Sequence, residues 1–402
     1  MAKSSRLRRL LQNLAFSLAV FLLCILFCEV ALRFAGYGHL EIYEPDAKLY
    51  WKLKPNQDCF TKVNHQPVHI NAQGTRGPEF SPDKPANTFR ILSLGDSRTF
   101  GWGLADEQTY SRKVEKLLGE YVAARKPLPM KGTTPTPTQE GSKTVDARQQ
   151  FPSWEGSGVG LGEQIANAHS WSLSPADGER GNRRPAFGAA TRVEVINAGV
   201  NAWSYPQMAV YFRDVGLRYQ PDLVILAEAN LWTQFSEKND PAFVSKFLWR
   251  VRLKNFLRRF AIYHYVIEVK LRGLYEQNRT KFIPVDPKQD ALFKEQQQGN
   301  PDLVFRSAIE EVCRTARSNH VQPVLLFLPT LDDLQSTNPS RVLLAKRAVS
   351  IAIGAPLVDL TPDLAGPGQA LYLDADPVHL NAPGNALVAE RLFESVTNVL
   401  AR

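Results

Sequence analysis

Five short apolar runs punctuate the chain between residues 90 and 360, and segments with helical periodicity separate or follow them. The runs cover 90–94, 193–197, 222–227, 323–328 and 356–360. Each has the length of a strand, and most lack the alternation of a sheet that faces water on one side. Such strands need cover on both faces. The intervening segments supply it. Over 107–124, Tyr110, Val114, Leu117, Leu118, Tyr121 and Val122 recur at three- and four-residue spacing. Similar patterns span 206–218, 303–319, 340–353 and 383–400. Strands alternating with helices predict an α/β domain with a parallel sheet. Sites in such sheets form at the carboxyl ends of the strands.

The N-terminal region is of a different kind. Lys3, Arg6, Arg8 and Arg9 precede an apolar run over 14–28, and a shorter tail over 30–32 follows Glu29. A spanning helix needs about 20 mostly apolar residues. With Glu29 snorkelling at the far interface, the run approaches that length. The basic residues lie before it, and Glu41, Glu44 and Asp46 lie after it. The positive-inside rule then puts the N-terminus in the cytoplasm and the bulk of the chain outside. A cleaved signal peptide is the rival. Against it, no small-x-small site follows the run, and neither Cys24 nor Cys28 has a small residue before it. Cys59 and Cys313 would face the oxidising side, where pairing is available; lying far apart in sequence, they are expected to be unpaired.

The formal net charge of +8 admits nucleic acid, anionic lipid or an acidic polymer as partner. The chain has no nucleic-acid module, no metal-finger spacing and no Gly-x-Gly-x-x-Gly loop. The basic excess traces instead to the N-terminus and to 244–276, where Phe247, Leu248, Val251, Leu253, Phe256 and Leu257 interleave with Lys246, Arg250, Arg252, Lys254, Arg258 and Arg259. One reading is a basic amphipathic helix lying on an anionic membrane. The expected one is an ordinary helix packed on the domain with a solvated basic side. Residues 126–190, which include Thr133-Thr134-Pro135-Thr136-Pro137-Thr138, lack periodicity and are expected to form a mostly disordered insertion.

The first run continues as RILSLGDSRTFG, residues 90–101. Gly95-Asp96-Ser97 is either a turn that ends a strand or a serine delivered to the sheet edge. A serine nucleophile needs a histidine base, an orienting acid and donors for the developing oxyanion. Of His39, His65, His69, His169, His264, His320 and His379, only His379 follows the last predicted strand with a carboxylate nearby, in Asp374-Ala375-Asp376-Pro377-Val378-His379. An Asp three residues before a His in a loop can fold back onto the ring. Asp374 is the rival acid.

Taken in order, these pieces resemble the SGNH, or GDSL, hydrolase superfamily. Gly95-Asp96-Ser97 matches its first block and Asn197-Ala198-Gly199-Val200 its second. Asn230 falls where the third block places its asparagine, and Asp376-Pro377-Val378-His379 matches the last. Upstream, Glu29-Val30-Ala31-Leu32-Arg33, Lys54-Pro55-Asn56 and Ile70-Asn71-Ala72-Gln73-Gly74-Thr75-Arg76-Gly77 are similar to membrane-anchored exported bacterial members. The resemblance implies a flavodoxin-like three-layer sandwich with a parallel sheet of about five strands, preceded by one transmembrane helix. It implies Ser97, His379 and Asp376 as catalytic triad. The oxyanion donors would be the amides of Ser97 and Gly199 and the side chain of Asn230.

Bland alternatives stand beside these roles. Gly199 also suits a tight turn, and Asn230 a helix cap. Trp102, Trp203 and Trp232 offer an acyl or sugar platform, or ordinary core packing. Arg98, directly after the nucleophile, is a candidate for binding an anionic substrate or is simply solvated. The third block departs from the usual Gly-x-Asn-Asp and reads Glu228-Ala229-Asn230-Leu231.

The implied activity is ester hydrolysis by a serine esterase, with no metal or organic cofactor. The alternative is an O-acyltransferase or deacetylase acting on a cell-envelope polysaccharide or glycolipid. A non-catalytic envelope or carbohydrate-binding protein of the same fold is the second. The expected organisation is a cytoplasmic basic tail over 1–12, a transmembrane anchor over 13–35 and an approach segment over 36–89. The α/β domain follows over 90–402, with insertions at 126–190 and 235–300. The protein would cross the cell inner membrane once, with the α/β domain in the periplasm. Its partners would be an acylated substrate and, through the helix, the membrane, with no nucleic acid.

Overall fold

A computed structural model describes residues 2–124, 190–229, 241–277 and 301–400. The insertion expected over 126–190 lies outside these residues except for its last position, as do 235–240 and 278–300 of the second insertion.

The chain begins with helix α1 (Ala2–Phe34). Two antiparallel strand pairs follow, β1 (Tyr43–Asp46) with β2 (Tyr50–Leu53), and β3 (Gln57–Phe60) with β4 (Pro67–Ile70). Next come β5 (Thr88–Gly95), α2 (Ser97–Phe100), α3 (Tyr110–Ala124), β6 (Arg192–Gly199), α4 (Tyr205–Asp214) and β7 (Leu223–Leu226). Helices α5 (Pro241–Leu257), α6 (Ala261–Gln277) and α7 (Pro301–Ser318) lead to β8 (Gln322–Phe327). After α8 (Leu331–Gln335) and α9 (Arg341–Ile353) come β9 (Leu357–Asp359), α10 (Thr361–Ala365) and α11 (Ala382–Leu400).

Strands β5 to β9 form one parallel sheet in the order β6-β5-β7-β8-β9. In chain order this is 2-1-3-4-5, the flavodoxin-like arrangement. Successive side chains point to opposite faces, so each strand feeds two cores. Leu92, Leu94, Ile196, Val224, Leu226, Leu325 and Phe327 enter one core with Met208 and Phe212 of α4, Ile309 and Val312 of α7 and Val349 of α9. Ile91, Val193, Val195, Leu223, Ile225, Val324 and Leu326 enter the other with Val114 and Leu118 of α3 and Val388, Leu392 and Val396 of α11. The result is the three-layer α/β fold that the resemblance implies. Every residue of β5 is buried, as its interior place in the sheet, between β6 and β7, demands.

Two glycines let the turn that carries Ser97 lie flat on the sheet edge. Gly95 and Gly199 face each other in register at the ends of β5 and β6. A Cβ on Gly95 would lie 1.9 Å from Thr99 Oγ1, and one on Gly199 would lie 2.2 Å from the Phe100 nitrogen. Only glycine permits so close an approach of α2.

The span Arg8–Phe34 is 27 residues long, its 18-residue apolar window has a mean hydropathy of 2.6, and it is long and apolar enough to cross a membrane. Glu29, at the far end of the span, is held by groups of the protein itself. Its carboxylate accepts the Ala261 and Ile262 N–H groups at 2.9 and 3.0 Å, capping α6, and pairs with Arg33 at 2.7 Å. An exposed helix N-terminus attracts a carboxylate more strongly than bulk water does. Residues 244–276 form two helices rather than one. They pack on the approach segment, where the Phe247 ring lies 5.4 Å from that of Trp51 and Val251 is buried. Cys59 and Cys313 are both buried and free.

Candidate active site

Ser97 is the first residue of α2, at the carboxyl end of the interior strand β5. Asp96 caps this helix through Oδ1, which accepts the Arg98 N–H at 2.9 Å. His379 and Asp376 come from the loop before α11. That loop is closed by the Leu373 N–H donating to the His379 carbonyl at 2.9 Å, and by a left-handed Ala375 at φ 57°. Asp376 Oδ1 accepts the N–H groups of Val378 and His379 at 2.8 and 3.1 Å. Its Oδ2 lies 2.7 Å from His379 Nδ1, and His379 Nε2 lies 2.8 Å from Ser97 Oγ.

The chemistry fixes the proton positions. A carboxylate only accepts, so Nδ1 carries the ring proton, which leaves Nε2 to accept from the Ser97 hydroxyl. Burial by itself would raise the Asp376 carboxyl. The charge of His379 and the three hydrogen bonds it receives outweigh that and hold it below the usual carboxylate value. Asp374 is exposed and outside this relay. The Trp102 ring stacks on His379, with centroids 5.4 Å apart. Trp203 is fully buried and donates to the Trp51 carbonyl at 2.9 Å, so it is a core residue. Trp232 lies outside the described residues.

Two sequence assignments are corrected. The Gly199 amide is already engaged, since it donates to Asn197 Oδ1 at 3.0 Å. Asn197 in turn donates through Nδ2 to the Thr99 carbonyl at 2.8 Å, so this pair fastens α2 to β6. Among the described residues, the amides of Ser97 and of the left-handed Ala202 (φ 66°) have no hydrogen-bond partner. Asn230 lies outside the described residues. Arg98 is not directed at a substrate. Its guanidinium donates to both oxygens of Asp96, at 3.2 and 2.8 Å, and to the Ala229 and Leu328 carbonyls. The planar fork finds its carboxylate two residues away; Asp96 is buried and Arg98 partly so.

The altered third block has a partner that sequence reasoning missed. Glu228 is buried, and Lys346 Nζ of α9 lies 2.5 Å from its Oε1. The same ammonium donates to the Ala227 carbonyl at 3.0 Å and to the Leu326 carbonyl. The Glu228 carbonyl accepts the Asp96 N–H at 2.8 Å, so the pair lies directly behind the turn that carries Ser97. The available signal was a lysine on the apolar face of a helix, beside Val342, Leu343, Ala345 and Val349. Arg76 was also missed. It is buried and donates to Asp106 and to the carbonyls of Phe100, Gly101 and Leu104, which ties the approach segment to the loop after α2. Among the described residues no group of three or more His, Cys, Asp or Glu is placed to hold a metal ion.

Solved structures similar to this chain are esterases and acylhydrolases. A psychrotrophic esterase from Pseudoalteromonas sp. is 11% identical with a TM-score of 0.37, over 78% of this chain and 99% of its own. A lipase/acylhydrolase from Enterococcus faecalis is 10% identical with a TM-score of 0.38, over 77% and 96%. A two-domain esterase active on acetylated mannans is 13% identical with a TM-score of 0.39, over 78% of this chain and 50% of its own. No protein-family model and no curated protein matches the sequence.

Gly199→Ala tests the steric reading. A methyl group 2.2 Å from the Phe100 nitrogen has no room without moving α2. The expected result is a loss of about 1–3 kcal/mol of stability, the usual cost of overpacking, together with a fall in kcat. Denaturant unfolding reads the first effect. A variant as stable as wild type would refute the packing role.

Proposed function

We propose that the chain is a membrane-anchored serine esterase of the SGNH type that acts on acyl esters outside the cytoplasm. The single observation that carries this reading is the hydrogen-bonded relay from Ser97 through His379 to Asp376. In it, His379 Nε2 takes the Ser97 proton as Oγ attacks the ester carbonyl. Asp376 holds the ring in the required tautomer and stabilises its charged form. The amides of Ser97 and Ala202 and the side chain of Asn230 are the donors assigned to the oxyanion. His379 then returns its proton to the leaving alcohol, and a water it activates releases the acyl group. A sugar hydroxyl in place of that water would turn hydrolysis into transfer. The basic residues before the α1 span assign the α/β domain to the far side of an inner membrane.

Labelling of the full-length protein in detergent with a fluorophosphonate probe tests the reading, beside Ser97→Ala and His379→Ala. Wild type is expected to take the label and both variants to lose it. A folded wild type that neither takes label nor cleaves a p-nitrophenyl ester would overturn the proposal.

A further inference from the structure

A cavity of about 240 Å³ lies between three parts of the chain that the catalytic relay does not use. The approach segment contributes Tyr43, Trp51 and Lys62. The loop after β6 contributes Asn201 and Ala202, and α5 with the turn after it contributes Phe247, Lys254 and Arg258. Ser97 and His379 do not line it, but two elements join it to them. Ala202, in a left-handed conformation, offers an unpartnered amide at the sheet edge. The Lys62 ammonium sits 4.9 Å above the Trp102 ring, whose plane stacks on His379.

The cavity carries more positive charge than its surroundings answer. Glu41, buried behind the wall, lies 3.5 Å from Lys62 Nζ and 3.8 Å from Arg258 Nη1. Lys254 has no carboxylate partner among the described residues. Three cations therefore face one carboxylate. Two polar atoms of the lining residues Arg258 and Asn201, Nε and Oδ1, are buried behind the wall without a partner. What the cavity itself presents is the excess of positive charge, which suits a ligand that brings an anionic oxygen. The aromatic walls of Tyr43, Trp51 and Phe247 suit the flat face of a ring. The volume lies below the roughly 300 Å³ at which drug-sized sites begin, which leaves room for one ring rather than a long acyl chain.

We propose that this cavity binds the acidic part of the substrate, a sugar ring bearing a carboxylate or a phosphate next to the acyl ester that Ser97 attacks. The proposal rests on the esterase reading and names its substrate class as an acylated acidic saccharide. The free protein already shows the strain that such an anion would relieve. Burial, then the neighbouring Arg258, lowers the Lys62 ammonium to about 8, and burial with Arg258 and Arg250 lowers that of Lys254. A bound anion favours the charged form of both.

The test compares kcat/KM of the full-length protein in detergent on three O-acetylated oligosaccharides of equal length, one a uronide, one neutral and one neutral but carrying a phosphate monoester. p-Nitrophenyl acetate is the control for the acyl chemistry. At least one acidic oligomer is expected to exceed the neutral one by about tenfold or more, as a charged hydrogen-bonded contact allows. The uronide and phosphate arms then separate the two sources of charge. Lys254→Ala and Lys62→Met are expected to bring that ratio close to one, whereas Arg314→Ala, an exposed cation on α7, is expected to leave it unchanged. If p-nitrophenyl acetate is cleaved but acidic and neutral oligomers are cleaved alike, the cavity proposal is wrong and the esterase reading survives. If no ester is cleaved, yet calorimetry finds an acidic oligomer binding about tenfold tighter than the neutral one and Lys254→Ala removing the difference, the cavity proposal stands and the esterase reading falls.

Discussion

Ser97→Ala is expected to lower kcat on an acyl ester by about 10⁶, the order of loss seen when the nucleophile of a serine–histidine–carboxylate unit is removed. His379→Ala should lose about as much, because a serine hydroxyl without its base is a weak nucleophile. The informative variant is the double one. Oγ and Nε2 share a single hydrogen bond of 2.8 Å and act on the same proton. Removing the second group after the first therefore costs little, and Ser97→Ala/His379→Ala should be no slower than either single variant. The activity that remains would come from the oxyanion donors and substrate binding. Single-turnover kinetics with a p-nitrophenyl ester reads all three. Losses that multiply would mean that the two residues act independently and that the relay is not the catalytic unit.

Lys346→Met is expected to destabilise the fold by about 3–5 kcal/mol, the cost of leaving one charge of a buried pair without its partner. Both side chains are almost fully buried, at 0% and 2% exposure for Lys346 and Glu228. Burial disfavours the Lys346 ammonium and lowers its pKa, and Glu228 opposes that shift. Without the lysine, the hydrogen bonds left to the Glu228 carboxylate among the described residues are those from the Leu328 N–H at 3.3 Å and the Tyr205 hydroxyl at 3.3 Å. Glu228→Gln added to Lys346→Met removes the stranded charge and should restore most of the loss. A buried pair is often neutral against a well-packed uncharged replacement. Urea unfolding of the two variants decides it. A single variant within about 1 kcal/mol of wild type, or a double variant no better than the single, would contradict the pairing. Because the Glu228 carbonyl holds the Asp96 amide, the single variant should also lose activity, and the double should regain part of it.

The relay was legible because its members are set by short stretches of chain. An apolar run that ends in Gly95-Asp96-Ser97 puts the serine at a strand end, and Asp376 reaches His379 across three residues. The second block was read less well. Gly199 was matched by position, but whether an amide is free depends on its neighbours, and the Asn197 side chain two residues away takes this one. Arg98 was assigned by its place next to the nucleophile. Only the burial of Asp96 beside it shows that the guanidinium is a brace. Lys346 and Glu228 lie 118 positions apart, and neither has a local pattern that names the other.

From sequence alone, then, come the parallel sheet, the strand ends where a site forms, the apolar N-terminal span and the Ser97, Asp376 and His379 set. The first three follow from backbone periodicity and apolar run length, and the Ser97, Asp376 and His379 set from the resemblance to the SGNH hydrolases, which blocks of a few residues carry. Tertiary structure alone decided which polar groups meet. It joined Lys346 to Glu228 and Arg76 to the loop after α2, set Glu29 on the N-terminus of α6, and brought Lys62, Lys254 and Arg258 around one cavity. The physical reason is desolvation. A buried charge or amide must find a partner, and which partner lies in reach is fixed only when distant segments pack.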